Sequence, residues 1–582
     1  MAAVMPVDVS LDLSERHAHR LHVTVHAPAT GPRQRIQLPV WIPGSYLVRE
    51  FAQHMHPPQA WQQQRRLSVN AVGKDSWEAR TQGSAPVTWR YTLYAHDASV
   101  RTAMVDTSRV FINPAATVVQ VLGHRGGYRL RVARQGLPAN WRVVTGLEPQ
   151  RTDARGYGTY LAADYDELVD QPLTIAPGWL GQFQYRGVPH QLFVTGAPSH
   201  ADLRRLLHDT ERVVQAHVDF WHPNGEAPPF ARYVFMLHTS AEGYGGLEHR
   251  NNTALLAPRA DLPRRGPHGP QPGPVLRAND GYTRLLGLIS HEYFHAWNVK
   301  RLRPLARYHY QRENHTSLLW FFEGFTSYYD DLMLVRAGCL GTAAYLQLLA
   351  RTVNQVAQTP GQHVQSLAQA SHDAWTKYYR MGENTPNITV SYYTKGALVA
   401  LCLDAALRQA GCSLDHLMQA LWQRIGDGVL READLYGVLR AWGLNALARQ
   451  LQQWVHVAEP LPVSTALHTL GVEVFNDEAP LGARLGLRTE PAAGGLRVTH
   501  VMRGGAAEAA GFAPGDLWLA QRQGAQWWQI QQLDDAARFV DRSQRWRCMV
   551  ARDGQIMTLQ GRWPATTHVV RLQRRASLQP SA

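Results

Sequence analysis

The stretch Ser290-His291-Glu292-Tyr293-Phe294-His295-Ala296-Trp297 places two imidazoles and a carboxylate within about one helical turn. Residues four apart on a helix share a face, so His291 and His295 can point at one ion while Glu292 leans toward a water beside it. That is the donor pattern of a zinc hydrolase, which needs three protein ligands and an open fourth position for water. The run Leu318 to Asp330 holds one interior carboxylate, Glu323, among aromatic and aliphatic neighbours. Burying a lone carboxylate there is costly unless it is paired or ligates a metal, which makes Glu323 the natural third ligand. It lies 323 − 295 = 28 residues beyond His295, so it comes from the next helix. Zinc brings the pKa of its water toward about 7, and Glu292 is the expected acceptor of the proton.

These groups need elements to hold them. The motif helix is expected to start at Asp280 as N-cap and run to about Asn298, with Leu285, Leu286, Leu288 and Ile289 on its buried face. Pro304 then stops it. Ahead of it stand a strand-like run, Tyr233 to His238, and a glycine-rich bend leading to Gly245-Gly246-Leu247-Glu248-His249. From the N-terminus to about residue 180 the apolar pattern has period two, as in Arg20 to Val25 and Val87 to Tyr94, which predicts an antiparallel β domain, a sandwich. Within it, Leu38 to Phe51 reads as strand, Pro-Gly turn and strand, with Trp41 and Tyr46 in the core or an interface. The chain changes character at Pro177-Gly178-Trp179, and an amphipathic helix follows with Leu203, Leu206, Leu207, Val213, Val214 and Val218 at helical spacing. Pro258 to Pro274 is dense in proline and glycine and reads as a basic surface loop. Helical signals dominate from about 340 to 455 and close the cleft as a helical half-domain. Short strands around one helix return from about 463 to 565, and a basic tail, fraying from about Arg571, is expected over 566–582.

Composition narrows the function classes. The 582 residues suffice for three or four domains, and 45% hydrophobic content with 18 tryptophans provides large cores. The net charge of +13 comes from scattered arginines with no accompanying nucleic-acid fold motif, so no nucleic-acid partner is expected. The four cysteines, Cys339, Cys402, Cys412 and Cys548, offer neither a disulfide framework nor a thiolate zinc site. No basic stretch followed by an apolar run opens the chain, and no window approaches eighteen apolar residues, so a cytoplasmic protein without a membrane span is expected.

His291 to Arg301, followed by Trp320-Phe321-Phe322-Glu323-Gly324-Phe325-Thr326-Ser327-Tyr328-Tyr329, resembles the glycyl aminopeptidase family of zinc metallopeptidases, peptidase family M61. Leu38 to Phe51 is similar to that family's N-terminal β-domain signature, and the segment from 496 to 516 to its C-terminal PDZ domain. The resemblance implies one zinc ion on His291, His295 and Glu323, with Glu292 as the base. It also implies that the edge strand at Gly245 and Gly246 binds the peptide backbone while Glu248 holds the free α-ammonium. A fixed carboxylate suits that task, because an α-amino group with a pKa near 8 is largely protonated at neutral pH. Ser391-Tyr392-Tyr393-Thr394-Lys395-Gly396 resembles the Tyr-x-Lys-Gly of larger relatives, which makes Tyr393, or failing it Tyr392, the donor to the tetrahedral oxyanion.

The expected architecture is multidomain α+β. It comprises an N-terminal β-sandwich-like domain over 1–180, a thermolysin-like catalytic domain of the gluzincin type over 181–460, and a PDZ domain over 463–565. The expected activity is a zinc aminopeptidase acting on peptides with a free N-terminus, glycine and alanine being the N-terminal residues the resemblance implies. The PDZ region has the signals to bind a peptide C-terminus by strand addition, with Leu485-Gly486-Leu487 as carboxylate cradle; the alternative, slightly favoured, is a regulatory or packing role in which it packs against the helical domain and restricts access. The rival expectations are a zinc endopeptidase in which Glu248 is incidental, and a PDZ-based binding protein with a vestigial metal site.

Overall fold

Alternating burial builds the N-terminal strands as the period-two pattern predicts. Arg20–Ala27 and Val87–Tyr94 bury every second residue and pair antiparallel from Arg20 against Tyr94 to Ala27 against Val87. In the computed structural model, which describes residues 5–265, 277, 280–538, 545–563 and 566–575, they lie at the centre of an eight-stranded sheet. Two four-stranded sheets share its apolar core, in which Val23, Val25, Trp89, Leu130, Ile175 and Ile36 are buried. The segment Leu38 to Phe51 departs from the strand-turn-strand expectation, forming only an isolated bridge between Ile42 and Ser45. Its backbone is held from elsewhere. Val40 N–H donates to the Tyr310 carbonyl (2.8 Å) and the Trp41 indole to the His309 carbonyl (2.8 Å), so no neighbouring strand is needed to satisfy them.

The chain divides into two compact units. The first comprises Met1–Asn314, Tyr329–Gly341 and Met418–Leu430. Besides the β-rich part it holds a five-stranded sheet in the order Trp179–Tyr185, Val188–Thr195, Tyr233–Ser240, Asn252–Pro258, Gly245–Glu248. The first two strands form a hairpin that the sequence pattern hid. Trp179–Tyr185 is only half-buried and mixes Gly and Gln into its apolar positions, so its alternation is weak. The last strand is an edge, paired antiparallel to Asn252–Pro258 and, among the described residues, to no other strand. The amphipathic helix Leu203–Trp221 forms as expected.

The motif helix spans Gly281–Phe294, shorter than expected, with His295 at its C-cap. Asp280 occupies the N-cap position, but its carboxylate accepts from the Arg277 N–H instead of capping the helix. Past His295 the chain leaves the helix through a turn in which Val299 adopts φ +121° and the Lys300 N–H returns to the His295 carbonyl (3.1 Å). A β-branched residue at positive φ is rare and marks a conformation imposed by its surroundings. The expected single helix around Glu323 is two, Leu319–Phe322 and Gly324–Arg336, broken at the glutamate. Residues 266–274 of the proline-rich stretch lie outside the described residues.

The second unit comprises His315–Tyr328, Thr342–Leu417 and Arg431–Ala582. It contains the expected helices, among them Thr342–Ala357, Tyr392–Gln409 and Asn445–His456. A separate sheet of six strands, running from Leu487–Ala492 to Gln555–Arg562, closes on its own core around Phe512, Trp518, Trp546 and Val550. The expected tail from 566 is corrected in part. His568–Arg574 is a strand paired antiparallel with Val472–Glu478 along its whole length. The residues that suggested a frayed basic end are engaged there: the Arg571 guanidinium pairs with Asp477 (2.9 Å) and lies over the Phe475 ring. Among the described residues no single helix is long and apolar enough to cross a membrane.

Candidate active site

The two motif histidines carry fixed tautomers. His291 Nδ1 donates to Asp330 Oδ2 (3.0 Å) and His295 Nδ1 to the Asn298 carbonyl (2.8 Å), which leaves both Nε2 lone pairs unprotonated. The two Nε2 atoms stand 3.1 Å apart. Two lone pairs facing each other at that distance repel unless a cation lies between them, and two imidazoles on a tetrahedral zinc bring their nitrogens to about 3.3 Å. Glu323 is 2% exposed, at the break between its two short helices. Ligand atoms of His291, His295 and Glu323 all lie within 4.8 Å of one another. This donor set fits a zinc ion.

Behind the motif helix, three buried histidines hold two of its residues and Trp297 just past its end. Ser290 Oγ donates its one proton to the Asp330 carbonyl (2.7 Å), so it accepts from His217 Nε2 (2.9 Å). His190 Nδ1 donates to the Val188 carbonyl (3.0 Å), so its Nε2 accepts from the Tyr293 hydroxyl (2.9 Å). The Trp297 indole donates to His222 Nε2 (3.0 Å). Burial pushes His190 down to about 4 and His217 to about 3, and lowers His222 as well.

Glycines set the spacing of the edge strand. A β-carbon added to Gly246 would collide with Glu292 Oε1, so the bare Cα is what lets the carboxylate lie against the strand. Glu248, two residues on and on the same face, is 4% exposed. The Pro43-Gly44 turn meets it, since a β-carbon at Gly44, whose φ is +90°, would lie 2.5 Å from Glu248 Oε1. This gives the aromatic Pro-Gly segment a contact that the sequence did not reveal.

Asp170 ties the end of this strand to the turn after the motif helix. Its carboxylate accepts from His249 Nδ1 (3.2 Å), from the Arg250 N–H (2.9 Å) and from the Lys300 ammonium. Burial works to raise this carboxyl, but Lys300 and His249 outweigh it and hold it far below the usual carboxylate range. Lys300 is held above its ordinary value, because the charges of Asp170 and then Glu248 overcome the opposing effect of burial. Sequence reasoning missed Asp170 and Lys300, and it left His249 without a role. It also missed Asp330, although 330 − 323 = 7 places that residue two turns beyond Glu323.

In the second unit, Gly396 of the helix Tyr392–Gln409 packs so closely on Gly324 that a β-carbon there would meet the Trp320 carbonyl at 2.5 Å. This contact carries the helix start toward Glu323. Tyr393 is pushed well above the ordinary tyrosine value, first by burial and then by the Glu323 charge, so its hydroxyl keeps its proton as a donor. Tyr392 is fully buried, and Tyr378 stacks against Tyr393 at 5.6 Å between centroids.

Comparison with known proteins agrees with this geometry. The model of the M61 glycyl aminopeptidase matches residues 284–399, and that of the peptidase M61 N-terminal domain matches 8–177. An aminopeptidase N family protein from Idiomarina loihiensis is 31% identical, with 98% of each chain covered and a TM-score of 0.89. An M1 zinc metallopeptidase from Deinococcus radiodurans, 14% identical, aligns over 79% of this chain and 95% of its own with a TM-score of 0.49. No curated protein matches at a significant level. With a whole-length relative and both family models falling where the metal-ligand cluster and the N-terminal β-rich part stand, the chain belongs to the M61 glycyl aminopeptidase family of zinc peptidases.

Proposed function

We propose that the protein is a gluzincin-type aminopeptidase that removes small N-terminal residues, glycine or alanine, from peptides. The observation that carries this reading is the buried Glu248 at the end of an open edge strand, two residues from the glycine against which Glu292 lies. A peptide adding to that edge places its α-ammonium at Glu248 and its first peptide bond near Glu292. His291, His295 and Glu323 hold the zinc. When bound, zinc supplies Lewis acidity and makes water a competent nucleophile near neutral pH. Glu292 takes the proton of the attacking water and returns it to the leaving amine. Tyr393, protonated at all working pH values, donates to the oxyanion.

The separate sheet in the second unit supports a PDZ domain. Its edge strand Leu487–Ala492 follows directly on Gly486, in the left-handed conformation, and offers an extended peptide C-terminus a strand to pair with.

The test uses alanyl and glycyl nitroanilides, free and N-acetylated, with and without a chelator. Wild type should cleave only the free-amine forms and lose activity with the metal. Glu248→Ala should lose about 10- to 100-fold in kcat/KM on free-amine substrates, the worth of a charge-assisted contact. Equal losses on free and blocked substrates would favour the endopeptidase instead.

A further inference from the structure

Three charged side chains stand at successive heights along the edge strand, Glu248 and Glu292 on one face and Arg101 at its start toward the other. Glu248 lies at its C-terminal end and Glu292 opposite Gly246. At Gly245, where the strand begins, a β-carbon would lie 3.7 Å from Nη1 and 3.8 Å from Nη2 of Arg101. Arg101 comes from the turn after the strand Val87–Tyr94, and its backbone N–H is held by Ser99 Oγ (3.3 Å). Its guanidinium makes no hydrogen bond or ion pair among the described residues, and its Nε is buried without a partner. A buried N–H left unmade is costly, and guanidinium is a planar fork that takes a carboxylate through two nitrogens at once.

We propose that Arg101 receives the C-terminal carboxylate of a short peptide substrate, so that the enzyme measures its substrate from both ends. This rests on the aminopeptidase reading, which fixes the direction of the peptide. With the α-ammonium at Glu248 and the reacting bond near Gly246, the leaving portion runs toward Gly245 and Arg101. From Glu248 to Gly245 the strand advances three residues, about 10 Å. An extended chain covers at most about 3.6 Å per residue, so this span suits a di- or tripeptide. The substrate class is therefore a zwitterionic short peptide, its ammonium on Glu248 and its carboxylate on Arg101.

The experiment compares Ala-Ala and Ala-Ala-Ala with their C-terminal amides, using the zinc-loaded full chain. Wild type should prefer the free acids by at least about tenfold in kcat/KM, mostly through KM. Arg101→Met should bring the acid-to-amide ratio near one, and Arg101→Lys, which keeps the charge without the fork, should leave it intermediate. The lysine variant also carries the test should the methionine variant not fold. A wild-type ratio near one, or a ratio unmoved by either substitution, overturns the role of Arg101. N-acetyl-Ala-Ala-Ala separates the two readings. If wild type hydrolyses it as fast as the free tripeptide, the aminopeptidase reading fails; if the free amine is required but acids and amides are equal, only the Arg101 proposal fails.

Discussion

Acidification should weaken the fold through the histidines beneath the motif helix before it reaches the carboxylate network. His190 and His217 are fully buried, and their pKa values fall to about 4 and about 3. A histidine whose folded pKa lies below its unfolded value of about 6.5 favours folding above that value, and the contribution is lost as pH falls toward the folded pKa. At pH 5 the unfolded chain is protonated at both rings while the folded one resists, and each site costs about 2 kcal/mol, about 4 kcal/mol together. That is a large part of a typical domain's stability of about 5–15 kcal/mol. The hydrogen bonds agree with the direction, because a proton on His190 Nε2 would force the buried Tyr293 hydroxyl to give up this bond as donor and turn its own proton elsewhere. Urea unfolding followed by tryptophan fluorescence measures this stability, Trp221 and Trp297, stacked at 5.8 Å, being among the fluorophores. A chelator in every sample removes the contribution of metal loss. The double variant His190→Gln, His217→Gln should be less stable than wild type at pH 7.5, and the gap should shrink by about 4 kcal/mol at pH 5. A gap that stays constant between these pH values would refute the reasoning.

Two further substitutions test how the site is held. Asp330→Asn should weaken zinc binding about 10- to 100-fold, because the His291 ring loses the carboxylate that orients it; competition with a chelator at pH 7 measures this, and an unchanged affinity counts against the orienting role. Gly246→Ala puts a methyl group where Glu292 Oε1 now lies, so kcat should fall about 100-fold while zinc content and melting temperature hold; a near-normal kcat would mean that the carboxylate does not act from beside this strand.

What the sequence revealed follows how far apart the cooperating residues lie. His291, Glu292 and His295 share one helical turn, and Glu323 is conspicuous as a carboxylate in an apolar run, so local periodicity exposes all four. Asp170 lies 130 residues from Lys300, and His190 103 residues from Tyr293; nothing in their own neighbourhoods marks them. The segment Leu38 to Phe51 and the strand His568–Arg574 misled for the related reason that their partners, at His309 and Tyr310 and at Val472–Glu478, lie in other stretches.

Two of the residues hidden from sequence, Asp170 and Lys300, form a buried ion pair. A buried ion pair is expensive to desolvate and contributes little net stability compared with apolar packing, so Lys300 and Asp170 are poorly explained as fold stabilisers. Their positions explain them better. Lys300 is the fifth residue after His295 and is held to its carbonyl through the positive-φ turn at Val299, while Asp170 grips the two residues that directly follow Glu248. The pair therefore sets the distance between His295 and the carboxylate of Glu248 at the end of the edge strand. The aminopeptidase activity proposed above needs that distance fixed, and a charged pair with donors and acceptors in defined directions fixes it more tightly than apolar contact would.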